Sequence, residues 1–142
     1  MEPPPIAFAA RGSTQEIECG AEFQPKFDAE GLIAAIVTDA ENSQVLMVAW
    51  MNAAALSRSL ETSTAHFWSR SRKKLWLKGE DSGNVLQIIE MRTDCDQDVI
   101  WLRVKAQGPG VACHTGASSC FYRVVEVGNE PGKVGLRRVP TP

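Results

Sequence analysis

Three of the four cysteines stand among residues equipped for chemistry. Cys95 lies inside Asp94-Cys95-Asp96-Gln97-Asp98, and Cys113 and Cys120 bracket His114-Thr115-Gly116-Ala117-Ser118-Ser119. Thiolates are good zinc ligands, and catalytic zinc typically has three protein ligands with a fourth position left for water. Cys95, Cys113 and Cys120 fit that count. With His114 as a fourth ligand, the same residues would instead close a structural Cys3His site. The plain alternatives are buried structural cysteines or a Cys113–Cys120 disulfide. Polar, Gly-containing surroundings speak against inert burial. Cys19 and His66 carry no comparable signal, the first reading as a thiol on an N-terminal arm and the second as a strand residue.

The carboxylates around Cys95 suit a different ion. Magnesium usually takes one or two carboxylates together with waters and substrate phosphates, and Asp94, Asp96 and Asp98 could supply them. An EF-hand is excluded, because the sixth position from Asp94 is Val99 rather than Gly and the twelfth is Lys105 rather than Glu. A solvated acidic turn is the plain alternative. If the motif continues the preceding strand, the aspartates point to one face and Cys95 to the other. Two distinct metals, or a zinc site shared between subunits, would then reconcile thiolate and carboxylates. A sharp turn at the motif would remove that argument.

A basic run supplies the complement. Arg70, Arg72, Lys73, Lys74 and Lys78 place five positive charges in nine residues, with hydroxyls interleaved. Such a run can hold phosphate by charge-assisted hydrogen bonds, or it can be a solvated hairpin tip. Nothing else extends the patch, so nucleic acid is not an expected partner.

Strands dominate the elements that must position these groups. Leu32–Thr38 and Val45–Trp50 are short apolar runs joined by a plausible hairpin connection. Asn52 is placed to cap a helix over Ala53–Leu60. Further strands are expected at His66–Ser69, Leu75–Lys78, Val85–Thr93, Val99–Lys105 and Phe121–Val127. In Val99–Lys105, Ile100, Leu102 and Val104 share one face and Arg103 and Lys105 the other. The expected class is α+β, a mostly antiparallel sheet with one or two short helices. Residues 1–26, with Pro3, Pro4 and Pro5 and no periodicity, read as a flexible arm. Residues 27–127 read as the folded domain, and 128–142 as a C-terminal tail.

A chain of 142 residues is the size of one domain, and a net charge of −2 gives no basis for general affinity to nucleic acid or acidic membranes. No apolar run approaches the roughly 18 residues that span a bilayer. The N-terminus lacks the basic and apolar regions of a secretory signal, so a cytoplasmic protein is expected, with its cysteines reduced.

Together these segments resemble the phosphoribosyl-AMP cyclohydrolases of histidine biosynthesis. The resemblance is carried, in order, by GLIAAIVTD at Gly31–Asp39, VLMVAWMN at Val45–Asn52, SRSRKKLWLKGEDSG at Ser69–Gly83, DCDQD at Asp94–Asp98 and ACHTGASSCF at Ala112–Phe121. It implies a homodimer that binds zinc through Cys95 of one subunit with Cys113 and Cys120 of the other, and magnesium at Asp94, Asp96 and Asp98. It also implies a catalytic His114 and a small nucleotide substrate, with phosphates held by the basic run. Zinc would lower the pKa of its water from 15.7 toward about 7, and hydroxide would attack C6 of the purine, opening the N1–C6 bond. His114 would then serve as acid or base, or orient the metal site. The N-terminal arm is expected to lie outside the resemblance. The tail is expected to be too short for the pyrophosphatase domain fused to some relatives, which makes the chain monofunctional. The competing reading is a non-catalytic Cys3His zinc module that binds a partner.

Overall fold

The apolar runs of β1 (Ile33–Asp39) and β2 (Val45–Met51) pair as an antiparallel hairpin, with Ile33 opposite Met51. The computed structural model describes residues 6–108, 110–128, 132 and 134–140. After β2, Asn52 caps helix α2 (Ala53–Thr62) by accepting the Ala55 N–H at 2.8 Å, as its side chain and position predict. The helix stops at Ser63, which takes a left-handed conformation (φ 58°). A short hairpin follows, β3 (His66–Ser69) with β4 (Lys74–Leu77), and then a longer one, β5 (Leu86–Thr93) with β6 (Val99–Ala106).

The two long hairpins join edge to edge through β1 and β6, giving the sheet order β2-β1-β6-β5. That one junction is parallel and the flanking pairs are antiparallel, so the class is α+β with mostly antiparallel strands. Ile100, Leu102 and Val104 are fully buried, on the face their alternation assigns, with Ala35 and Val37 of β1. Leu56 of α2 and Phe67 of β3 are buried in the same core.

Two terminal segments differ from expectation. Residues 6–27 lie against the domain, with Phe8, Phe23 and Phe27 packed on the core, and include helix α1 (Thr14–Cys19). Three aromatics spaced this far apart have no periodicity to read, and α1 buries no residue, so neither leaves a pattern in sequence. In the tail, β8 (Leu136–Arg138) pairs with β7 (Arg123–Val125), which is shorter than the Phe121–Val127 strand expected. Among the described residues, no helix is long and apolar enough to cross a membrane.

Candidate metal centre

The acidic motif is a turn rather than a strand. It connects β5 to β6, with Gln97 N–H donating to Asp94 O at 3.1 Å and Gln97 in the left-handed region (φ 55°). A non-glycine residue there costs about 1–2 kcal/mol, so surrounding contacts must hold it. The face alternation that a continued strand would impose on Asp94–Asp98 therefore does not apply. The carboxylates converge for another reason: Asp94 Oδ1 accepts the Asp98 and Val99 N–H groups at 3.0 and 3.3 Å, which folds the turn back on itself. One ligand oxygen from each of Asp94, Asp96 and Asp98 lies within 4.8 Å of the others.

The crowding shows in their acidities. Hydrogen bonding to Asp94 and then Asp96, followed by burial and their negative charges, pushes Asp98 up to about 6. Burial also works against ionisation of Asp94, but hydrogen bonds from the Asp98 backbone and from the Asp98 and Asp96 side chains outweigh it and leave Asp94 below the usual range. Closely spaced carboxylates with room for water are a donor set that fits magnesium. Cys95, in the same turn, is exposed and borders a cleft of about 440 Å³ formed with Ile17, Glu18 and Gly20.

The other two thiols sit together elsewhere. The loop from Cys113 to Cys120 is pinned to the start of edge strand β2: Cys120 N–H donates to Leu46 O at 2.7 Å and Ser119 Oγ donates to Val45 O at 2.7 Å. Within the loop, Cys113 N–H donates to Ala117 O, and Thr115 Oγ1 donates to Cys113 Sγ at 3.0 Å. All four cysteines are free thiols, so Cys113 and Cys120 are not a disulfide. Burial pushes the Cys113 thiol up, but hydrogen bonds from Thr115 and Cys120 and the charge of Lys78 bring it below its ordinary value. Burial, then the negative charge of Cys113, raise Cys120 to about 11. Two adjacent sulfurs, one held below the ordinary thiol range, are a donor pair that fits zinc. His114 is exposed on the loop beside Cys113. Among the described residues, the aspartates are the one group of three His, Cys, Asp or Glu side chains whose ligand atoms converge.

Sheet geometry separates the two donor sets within one chain. Val99, just after the acidic turn, pairs with Ala34, and Ala34 with Trp50 near the end of β2, whereas the thiol loop is fixed at the start of β2. Seven strand residues span about 20 Å. Cys95 is thus at one end of the sheet and Cys113 with Cys120 at the other.

The basic residues divide as well. Arg70 and Lys73 lie on the β3–β4 hairpin and line a cleft of about 520 Å³ with Trp50, Trp68, Asp28 and Glu30. The Arg70 guanidinium stacks 4.9 Å above the Trp50 ring. A second cleft of about 350 Å³ shares Trp50, Asp28 and Leu32 with the first and reaches Asp98, so the two form one groove from basic hairpin to acidic turn. Arg72 bonds back to Ser69 Oγ at the hairpin tip, and Lys74 is exposed. Lys78 belongs elsewhere, with its charge acting on Cys113 and Cys120. Trp50 and Trp68 carry no functional signal in sequence beyond an aromatic ring near a strand's end. His66 is a buried strand residue whose Nδ1 lies 3.0 Å from Thr64 O.

The family model described as phosphoribosyl-AMP cyclohydrolase matches residues 47–122, which include the thiol pair, the acidic turn and the basic hairpin. The chain belongs to the phosphoribosyl-AMP cyclohydrolase family. It is 56% identical over 133 residues to a phosphoribosyl-AMP cyclohydrolase from Brucella canis, covering 93% of this chain and 94% of that one. It is 58% identical over 123 residues to the one from Brucella anthropi (86% and 87% covered) and 61% identical over 109 residues to the one from Mesorhizobium japonicum (77% and 71%). The first of these phosphoribosyl-AMP cyclohydrolase matches takes in 93% of the chain, so most of the N-terminal segment belongs to the resemblance rather than outside it.

Proposed function

We propose that the protein hydrolyses the adenine ring of 1-(5-phosphoribosyl)-AMP between N1 and C6, giving the formimino-imidazole carboxamide ribonucleotide, a cytoplasmic step of L-histidine biosynthesis. The observation that carries this reading is the thiol pair of Cys113 and Cys120 beside His114, in a chain of this family. Cys113 and Cys120, with Cys95 of a second copy in a homodimer, would hold zinc. The opposite-end placement of the thiols within one chain supports that sharing. Zinc, when bound, supplies the Lewis acid that makes water nucleophilic near neutral pH.

The remaining work falls to side chains of this chain. Lys78 favours the ionised form of Cys113, so the sulfur pair is poised to take a cation. His114, exposed next to Cys113, moves the proton that N1 must receive when the N1–C6 bond breaks. Arg70 and Lys73 bind substrate phosphate at the basic end of the groove, and Trp50 and Trp68 offer ring faces to the base or ribose. Asp94, Asp96 and Asp98 hold magnesium at the other end.

The test is hydrolysis of phosphoribosyl-AMP, followed by the absorbance change on ring opening, with and without a zinc chelator. Turnover abolished by chelation and restored by zinc is expected. No turnover by zinc-loaded dimer supplied with Mg²⁺ would leave the closed Cys3His module as the better reading.

A further inference from the structure

Gln97 is the one residue of the Asp94–Asp98 turn without a metal-ligating side chain, and it is 95% buried by contacts outside the turn, with a relative exposure of 5%. Its Oε1 accepts the Gln24 N–H at 2.7 Å, its Nε2 donates to Ile17 O at 2.9 Å, and its carbonyl accepts the Lys26 N–H at 2.7 Å. Arg11 Nη1 donates to Asp96 O at 2.7 Å and to Gln24 O at 3.0 Å. Gln24 Oε1 in turn accepts the Gly12 N–H at 2.8 Å, tying the start of the segment to its end. The segment thus grips the turn at two consecutive residues.

A turn carrying three carboxylates in close approach repels itself, and a two-residue grip from outside opposes its opening. We propose that Arg11–Lys26 is a clamp that acts through Gln97 and Arg11 to hold the Asp94–Asp98 turn in the shape that gathers its carboxylates for a divalent cation. The proposal rests on the cation assignment made above. Gln97 and Arg11 are positioning residues: they hold no metal and touch no substrate. What they supply is preorganisation, so that ion binding does not also have to order the turn.

The test uses the full-length chain, with Mg²⁺ binding measured by calorimetry and thermal stability measured without Mg²⁺. Arg11→Ala and Gln97→Leu are each expected to weaken Mg²⁺ binding by about tenfold or more, because binding then carries the ordering cost. Arg11→Lys, whose ammonium can reach one of the two carbonyls, is expected to recover part of the loss. Arg11 is exposed, so its variants remain informative if Gln97→Leu fails to fold. Lowered melting temperatures with Mg²⁺ affinity unchanged would reduce the segment to scaffolding and overturn the clamp alone. Wild-type protein that binds no Mg²⁺ would overturn the cation assignment, and the clamp with it.

Discussion

Burial disfavours ionisation of both Cys113 and Cys120; hydrogen bonds led by those from Thr115 overcome it at Cys113, whereas the negative charge of Cys113 adds to it at Cys120, so ionising the first makes ionising the second harder. A bound cation removes that conflict, so Cys113→Ala and Cys120→Ala should lose zinc and turnover together, measured by metal analysis and the hydrolysis assay. Retained turnover in either variant would sink the ligand assignment. Asp98 behaves in the opposite sense to an ordinary salt-bridged carboxylate. Its folded value of about 6 lies above the ordinary aspartate value of 3.8, so its protonated form favours the fold at low pH and that contribution is lost as pH rises through about 6. Asp98→Asn mimics the protonated form. Without metal it should therefore raise the melting temperature more at about two units above that pH than at about two units below it. Equal effects at both would show that the carboxylate crowding is not felt.

At the scale of elements, the strands and α2 were legible because their apolar alternation and caps are local. Asn52→Ala should cost about 1 kcal/mol in urea unfolding, the worth of an N-cap, and no measurable loss would mean the Ala55 N–H finds another partner. Gly79 holds a left-handed conformation that nothing local in the sequence specifies. Its φ is +86°, and a Cβ there would run into the backbone of Asn84 and Val85. Gly79→Ala should destabilise by about 1–3 kcal/mol or more, and by displacing neighbouring Lys78 should also weaken ionisation of Cys113. A thiol titration by ultraviolet absorbance would separate that effect from simple destabilisation. Whether the acidic motif continues β5 or turns was open in the sequence for a related reason: nothing local marks Gln97 as left-handed, and the contacts that hold it come from residues about 70 to 80 positions away.

For the whole molecule, a zinc site shared between subunits makes a definite prediction. In a two-fold dimer, mixing inactive Cys95→Ala with inactive Cys113→Ala leaves one intact site per heterodimer, so random exchange should restore about a quarter of wild-type activity. No recovery after verified subunit exchange would place all three thiols within one chain. The candidate ligands, the family and most of the strands are legible in the sequence alone, since chemistry and alternation are written residue by residue. Only tertiary structure decided where those ligands stand. Pairing β1 parallel to β6 and anchoring the thiol loop to the start of β2 puts the donor sets at opposite ends of one sheet. Folding the N-terminal segment over Gln97 turns an apparent arm into part of the acidic turn's support. Both outcomes depend on contacts between residues far apart in the chain, and local pattern carries no record of them.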